Sequence, residues 1–167
     1  GCMKNPDKQL LKQYFRLPDR LEEALIGLDD TILDQTKGKG WSIREYACHI
    51  LEGEALWQLN LRIVAAQNGI ELPFTWYFTL TQDEWAERWV YKKRALDTIL
   101  NSYRASTHYL VEFMRNNPDI WENYGLITWR GETEASRMTV RQIVEMNIRH
   151  LDGHLQDIQS IQEVNRR

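Results

Sequence analysis

The chain has 167 residues, of which 43% are hydrophobic and 27% charged, and a formal net charge of −3. That length and apolar content suit one domain with a sizeable core. The balance of charge lacks the basic footprint of a nucleic-acid binder, and no stretch has the roughly 20 apolar residues that span a bilayer, so neither nucleic acid nor a membrane is expected as a partner.

Gly1-Cys2-Met3 carries no apolar leader, and the expected compartment is the cytoplasm. Cys2 and Cys48 are too few for a disulfide framework in a domain of this size, and both are expected as reduced thiols. Lys4, Lys8, Lys12, Arg16 and Arg20 recur every four residues around a short first helix from Asp7 to Phe15. Interleaved with Asp7 and Asp19, they read as a solvated face in preference to a phosphate-binding stripe. Pro18-Asp19-Arg20 then opens a second helix, with Asp19 as its cap and Leu21, Ala24, Leu25 and Leu28 as its apolar stripe, which runs to the loop Lys37-Gly38-Lys39-Gly40.

Ser42 with Glu45 three residues later is a capping box, and the periodic run that follows predicts a long helix to Asn68-Gly69. The connection "LPFTWYFTL", Leu72 to Leu80, is too aromatic for a solvated loop. Thr81 with Glu84 is another capping box, predicting a third long helix through Trp85, Trp89, Leu96, Ile99, Leu100 and Tyr103 to Met114, ended by Asn116-Asn117-Pro118. Residues 119 to 138 form a long connection with room for a turn or a short strand pair, and long connections often carry function. Thr139 caps the last helix. The reading is all-α: a four-helix bundle over residues 19–164, preceded by an N-terminal extension over 1–18 with its short extra helix, and with a long loop before the last helix.

The chemistry lies on two of these helices. His150 and His154, in "NIRHLDGHLQDI", sit on or beside the stripe Val144, Leu151, Leu155, Ile158. Residues four apart stack on one helix face about 5–6 Å apart, so both imidazoles can address one point. His49, in "EYACHILEGE", lies by the core stripe of the helix capped by Ser42. Packing the two helices together would make a tripod of imidazoles with an open coordination position, which is how catalytic zinc sites with three protein ligands are built. His108 has no such partner in sequence and reads as a surface or packing residue. Cys48 is turned about 100° from His49 around the helix, poorly placed for a nucleophilic Cys–His pair and suited to the core.

These segments carry a resemblance. "GWSIREYACHILEGE" resembles the first histidine helix, and "TVRQIVEMNIRHLDGHLQDI" the C-terminal HxxxH helix, of the DinB-like, YfiT-like superfamily, over about residues 19 to 162. The resemblance implies a four-helix bundle, often paired as a homodimer, holding one divalent metal, nickel or zinc, on His49, His150 and His154. It implies a metal-dependent hydrolase or a thiol S-transferase acting on a small molecule, the latter with a low-molecular-weight thiol. The alternative is a non-catalytic bundle in which the histidines or their metal staple two helices. Glu52 and Glu54 occupy the acidic positions after the first histidine, either as a partner for an imidazole N–H or as exposed carboxylates. Asn147, one turn before His150, is a polar group on an apolar stripe that can orient a ligand or water. Trp57, Trp76 and Trp129 are candidates for a pocket wall, with the aromatic segment and the long connection expected to close over the metal position.

Overall fold

The computed structural model describes residues 3–166, so Cys2 lies outside the described residues. Four helical rods make the bundle. The first is built from α1 (Asn5–Phe15) and α2 (Leu17–Leu25), which follow each other across Arg16 alone. Pro18 lacks an N–H and its ring crowds the preceding turn, so one rod bends here instead of a free helix being followed by a bundle helix. Asp19 therefore lies in the first turn of α2 and does not cap it. Leu11, Tyr14 and Leu17, from the stretch expected as an extension, are buried in the common core.

The second rod is α4 (Ile43–Ala66), the third α6 (Leu96–Asn116) and the fourth α7 (Val140–Asn165), with α4 packed on both α6 and α7. Capping boxes start α4 at Ser42 and α7 at Thr139. Each one satisfies two of the N–H groups that a helix start leaves without partners. Between α2 and α4 the chain breaks earlier than the apolar stripe suggests. Gly27 takes φ 78°, and a short α3 (Asp30–Leu33), capped by Asp29, precedes the loop. The buried Arg44 guanidinium ties α3 to α4 through Asp30 and Asp34.

The third long helix expected from Thr81 is divided. Its capping box forms, but α5 (Gln82–Arg88) stops after seven residues, Val90 adopts the left-handed conformation at φ 56° and ψ 50°, and α6 begins only at Leu96. A β-branched residue resists that conformation. The turn brings Tyr91 into the core, 2% exposed and edge-on to Trp41.

A small sheet is built from a strand that follows α4 and two that lie between α6 and α7. β1 (Ile70–Glu71) runs parallel to β2 (Tyr124–Ile127), which pairs antiparallel with β3 (Ser136–Thr139), the strand pair the sequence allowed for. Gly125 is required there, since a Cβ would stand 2.9 Å from side-chain atoms of both Leu72 and Val64. The sheet holds the 128–135 turn beside the aromatic segment. No helix of the described residues is long and apolar enough to cross a membrane.

Candidate metal centre

Packing α4 against α7 brings together the three histidines singled out in the sequence. His49 Nε2 lies 3.0 Å from His150 Nε2, and His154 Nε2 lies 3.1 Å from the same atom. The candidate ligand atoms of all three fall within 4.8 Å of one another. A neutral imidazole nitrogen carries either a proton or a lone pair. Of three such nitrogens converging on one point at least two are alike, so the three cannot all satisfy one another. The donor set fits a divalent ion: bonds of about 2.0–2.1 Å at a tetrahedral centre place nitrogen pairs about 3.4 Å apart, slightly wider than here.

Electrostatics favour the ligating form. Burial, followed by the neighbouring His150 and His154, lowers the His49 pKa to about 3, and burial followed by His154 lowers that of His150 to about 4. Both rings are therefore neutral at physiological pH, with lone pairs available. His154 has a further partner: its Nδ1 meets Asp157 Oδ2 at 2.9 Å. With the carboxylate accepting the Nδ1 proton, the lone pair stays on Nε2, facing the other histidines. Asp157 was not identified from sequence, although its position three residues after His154 on one helix was the available signal.

Aromatic rings and one glycine fix the imidazoles. Trp41 packs 4.8 Å from His49, and Tyr46 packs 5.3 Å from His154. Gly53, one turn after His49, lets the His150 ring lie against α4, where a Cβ would come within 3.2 Å of His150 Cε1. Neither acidic candidate reaches an imidazole. Glu52 is half-buried, and burial raises its pKa. Glu54 is engaged elsewhere through one oxygen: Oε2 accepts hydrogen bonds from Tyr14 and Gln58, while the buried Oε1 has no hydrogen-bond partner among the described residues. Burial pushes the Cys48 thiol up to about 12, which keeps it protonated and a core residue. His108 stacks on Phe15 at 4.4 Å, away from the cluster.

Beside His49 and His150 opens a cavity of about 230 Å³, walled by Trp57, Phe74, Tyr77, Phe78 and Trp129 with Asn147 at its floor. The aromatic segment and the turn after β2 thus both border it, through Tyr77 and Trp129. Trp76 is about half exposed and Tyr124 stacks under the Arg137 guanidinium at 3.8 Å, so these two do not wall the cavity.

The DinB superfamily matches this chain over residues 13–158. No curated protein shows a significant sequence match. Among solved structures, the chain is similar to YfiT from Bacillus subtilis, a "probable metal-dependent hydrolase with an unusual four-helix bundle topology", with a TM-score of 0.80 at 13% identity, covering 97% of this chain and 89% of that one.

Proposed function

The chain belongs to the DinB superfamily, and from that premise we propose that it is a metal-dependent hydrolase of small molecules, using one zinc or nickel ion on His49, His150 and His154. The observation that carries this reading is the convergence of three imidazole nitrogens, His150 Nε2 lying 3.0 and 3.1 Å from the other two, beside an aromatic cavity that His49 and His150 line. An ion held there would supply Lewis acidity, bringing the pKa of a coordinated water toward about 7. A set of three imidazoles suits zinc and nickel alike.

The remaining roles belong to the chain. Asp157 holds the His154 ring with its Nε2 turned inward, and Gly53 leaves room for His150. Trp57, Phe74, Phe78 and Trp129 exclude water from the cavity, which strengthens every electrostatic interaction at its polar end. A purely structural staple between α4 and α7 would need none of this cavity.

The test is elemental analysis of the purified protein together with turnover of aryl and alkyl esters and amides. The expected result is close to one ion per chain and hydrolysis that chelation abolishes and added zinc or nickel restores. Turnover unaffected by chelation, or a protein that retains no ion at neutral pH, overturns the proposal.

A further inference from the structure

The cavity has one polar group whose hydrogen-bonding demand the protein leaves unmet. Asn147 is 2% exposed, lies on the face of α7 that lines the cavity, and its Nδ2 meets no hydrogen-bond partner among the described residues. Buried amides are ordinarily satisfied, and an orphaned one marks a place where a partner is missing. The other amide on the wall is already satisfied: Gln82 and the Tyr77 hydroxyl bond each other at 2.8–3.0 Å. No Asp, Glu, Lys or Arg lines the cavity.

The rest of the wall is flat and apolar. Trp57 lies 4.8 Å from Phe74 and 6.0 Å from Trp129, and Phe78 lies 5.8 Å from Phe74. For scale, a dry engineered cavity of about 150 Å³ lined by apolar side chains holds benzene. A cavity of about 230 Å³ therefore accepts a single ring with a short substituent. No side chain of the wall offers a counter-charge to a charged ring substituent, and a bare hydrocarbon would leave the amide unpaired.

We propose that the cavity selects small, uncharged aryl carbonyl compounds, with Asn147 donating a hydrogen bond from Nδ2 to the carbonyl oxygen while the ring lies among Trp57, Phe74 and Trp129. Rotation about the last side-chain bond can turn the amide's N–H groups toward such an oxygen. Asn147 is a recognition residue that places the carbonyl beside the imidazoles. This substrate class rests on the hydrolytic reading above, whereas the recognition itself depends on the cavity and not on the ion.

The experiment measures binding of benzamide and of ethylbenzene to the full chain, by quenching of tryptophan fluorescence and by NMR chemical shifts, with zinc loaded and again after chelation. Benzamide offers ring and carbonyl; ethylbenzene offers the ring alone. Asn147→Leu, close to the same size, is expected to weaken benzamide by about tenfold, the loss of one well-made hydrogen bond, while ethylbenzene binds as well or better. Asn147→Ala serves as a second variant, and in both the ratio of the two affinities is the quantity read, so that general loosening of the cavity cancels. An unchanged ratio, or failure of benzamide to bind the parent protein, overturns the proposal. The two readings fail separately: the expected ratio after chelation supports recognition by the cavity alone, whereas a parent protein that shows this ratio but retains no zinc after loading sinks the hydrolytic reading and leaves the recognition standing.

Discussion

On one face of α4, His49 meets His150 across 3.0 Å with no partner between them able to satisfy both nitrogens. Five residues on, about 140° around the same helix, Glu54 is also buried, yet it accepts a 2.6 Å hydrogen bond from the Tyr14 hydroxyl and a 3.2 Å bond from Gln58, whose amide also reaches Tyr14. Both faces bury ionisable groups that water would otherwise solvate. One carboxyl oxygen is held by side chains from α1 and α4, the other has no partner among the described residues, and burial favours the protonated form. The three imidazole nitrogens cannot all satisfy one another, and as a donor set they suit a divalent ion. What separates the two faces is access: His49 and His150 line an open cavity that a ligand can enter, whereas Glu54 is closed inside the core.

The sharpest way to break this comparison is to remove one of the three histidines. His49→Ala or His154→Ala is expected to take bound metal from about one ion per chain to a small fraction of that, measured by elemental analysis after desalting. Full occupancy in the double variant would show that the ion, if any, sits elsewhere.

A smaller effect is expected from the residue that orients a ligand without touching the ion. Asp157→Ala frees the His154 ring to rotate and should weaken metal affinity by about 10–100-fold, read by competition with a chelator of known affinity. An affinity equal to that of the parent protein would mean that α7 alone fixes the ring.

The two faces also respond to pH in opposite senses. In chelated protein, His49 and His150 have folded pKa values lowered to about 3 and about 4, below the ordinary histidine value of 6.5. As pH falls through 6.5 the unfolded chain takes up protons that the folded one refuses, so stability drops toward acid, by at most about 1.4 kcal/mol per pH unit for each histidine. Glu54 is raised from 4.5 to about 7, mainly by burial. Between those values the folded state holds a proton that the unfolded state has lost, so this group's contribution declines as pH rises from 4.5 and levels off above 7, again with a slope of at most about 1.4 kcal/mol per unit. Urea unfolding from pH 4.5 to 8 should show the two trends partly cancelling. Glu54→Gln should leave the acid-side loss alone and steepen the net rise of stability with pH; an unchanged profile would mean that Glu54 titrates near its ordinary value.

The smallest expected effect is at the point where the two helices touch. Gly53→Ala places a methyl about where His150 Cε1 sits 3.2 Å away, and the ring must yield slightly. Metal affinity should fall several-fold, while unfolding free energy changes by under about 1 kcal/mol because alanine's helix propensity offsets the crowding. Isothermal titration with zinc, alongside urea unfolding, separates the two terms, and a parent-like affinity would mean the ring has room to spare.

Much of this was legible in the sequence because it is local. The capping boxes at Ser42, Thr81 and Thr139 form where the side-chain spacing places them, since a cap depends on residues three apart. The fold class follows from helical periodicity, and the facing of His150 with His154 follows from a one-turn spacing that any helix imposes. What the sequence left open depends on distant partners. Nothing near Val90 announces a helix break, because the left-handed turn is stabilised by burying Tyr91 against Trp41, fifty residues earlier in the chain. Glu54 resembles a candidate partner for a histidine until Tyr14, forty residues away, is seen to engage it. The orphaned amide of Asn147 is invisible in one dimension for the same reason: whether a buried group is satisfied is decided by every element packed around it, and only the tertiary structure brings those elements together.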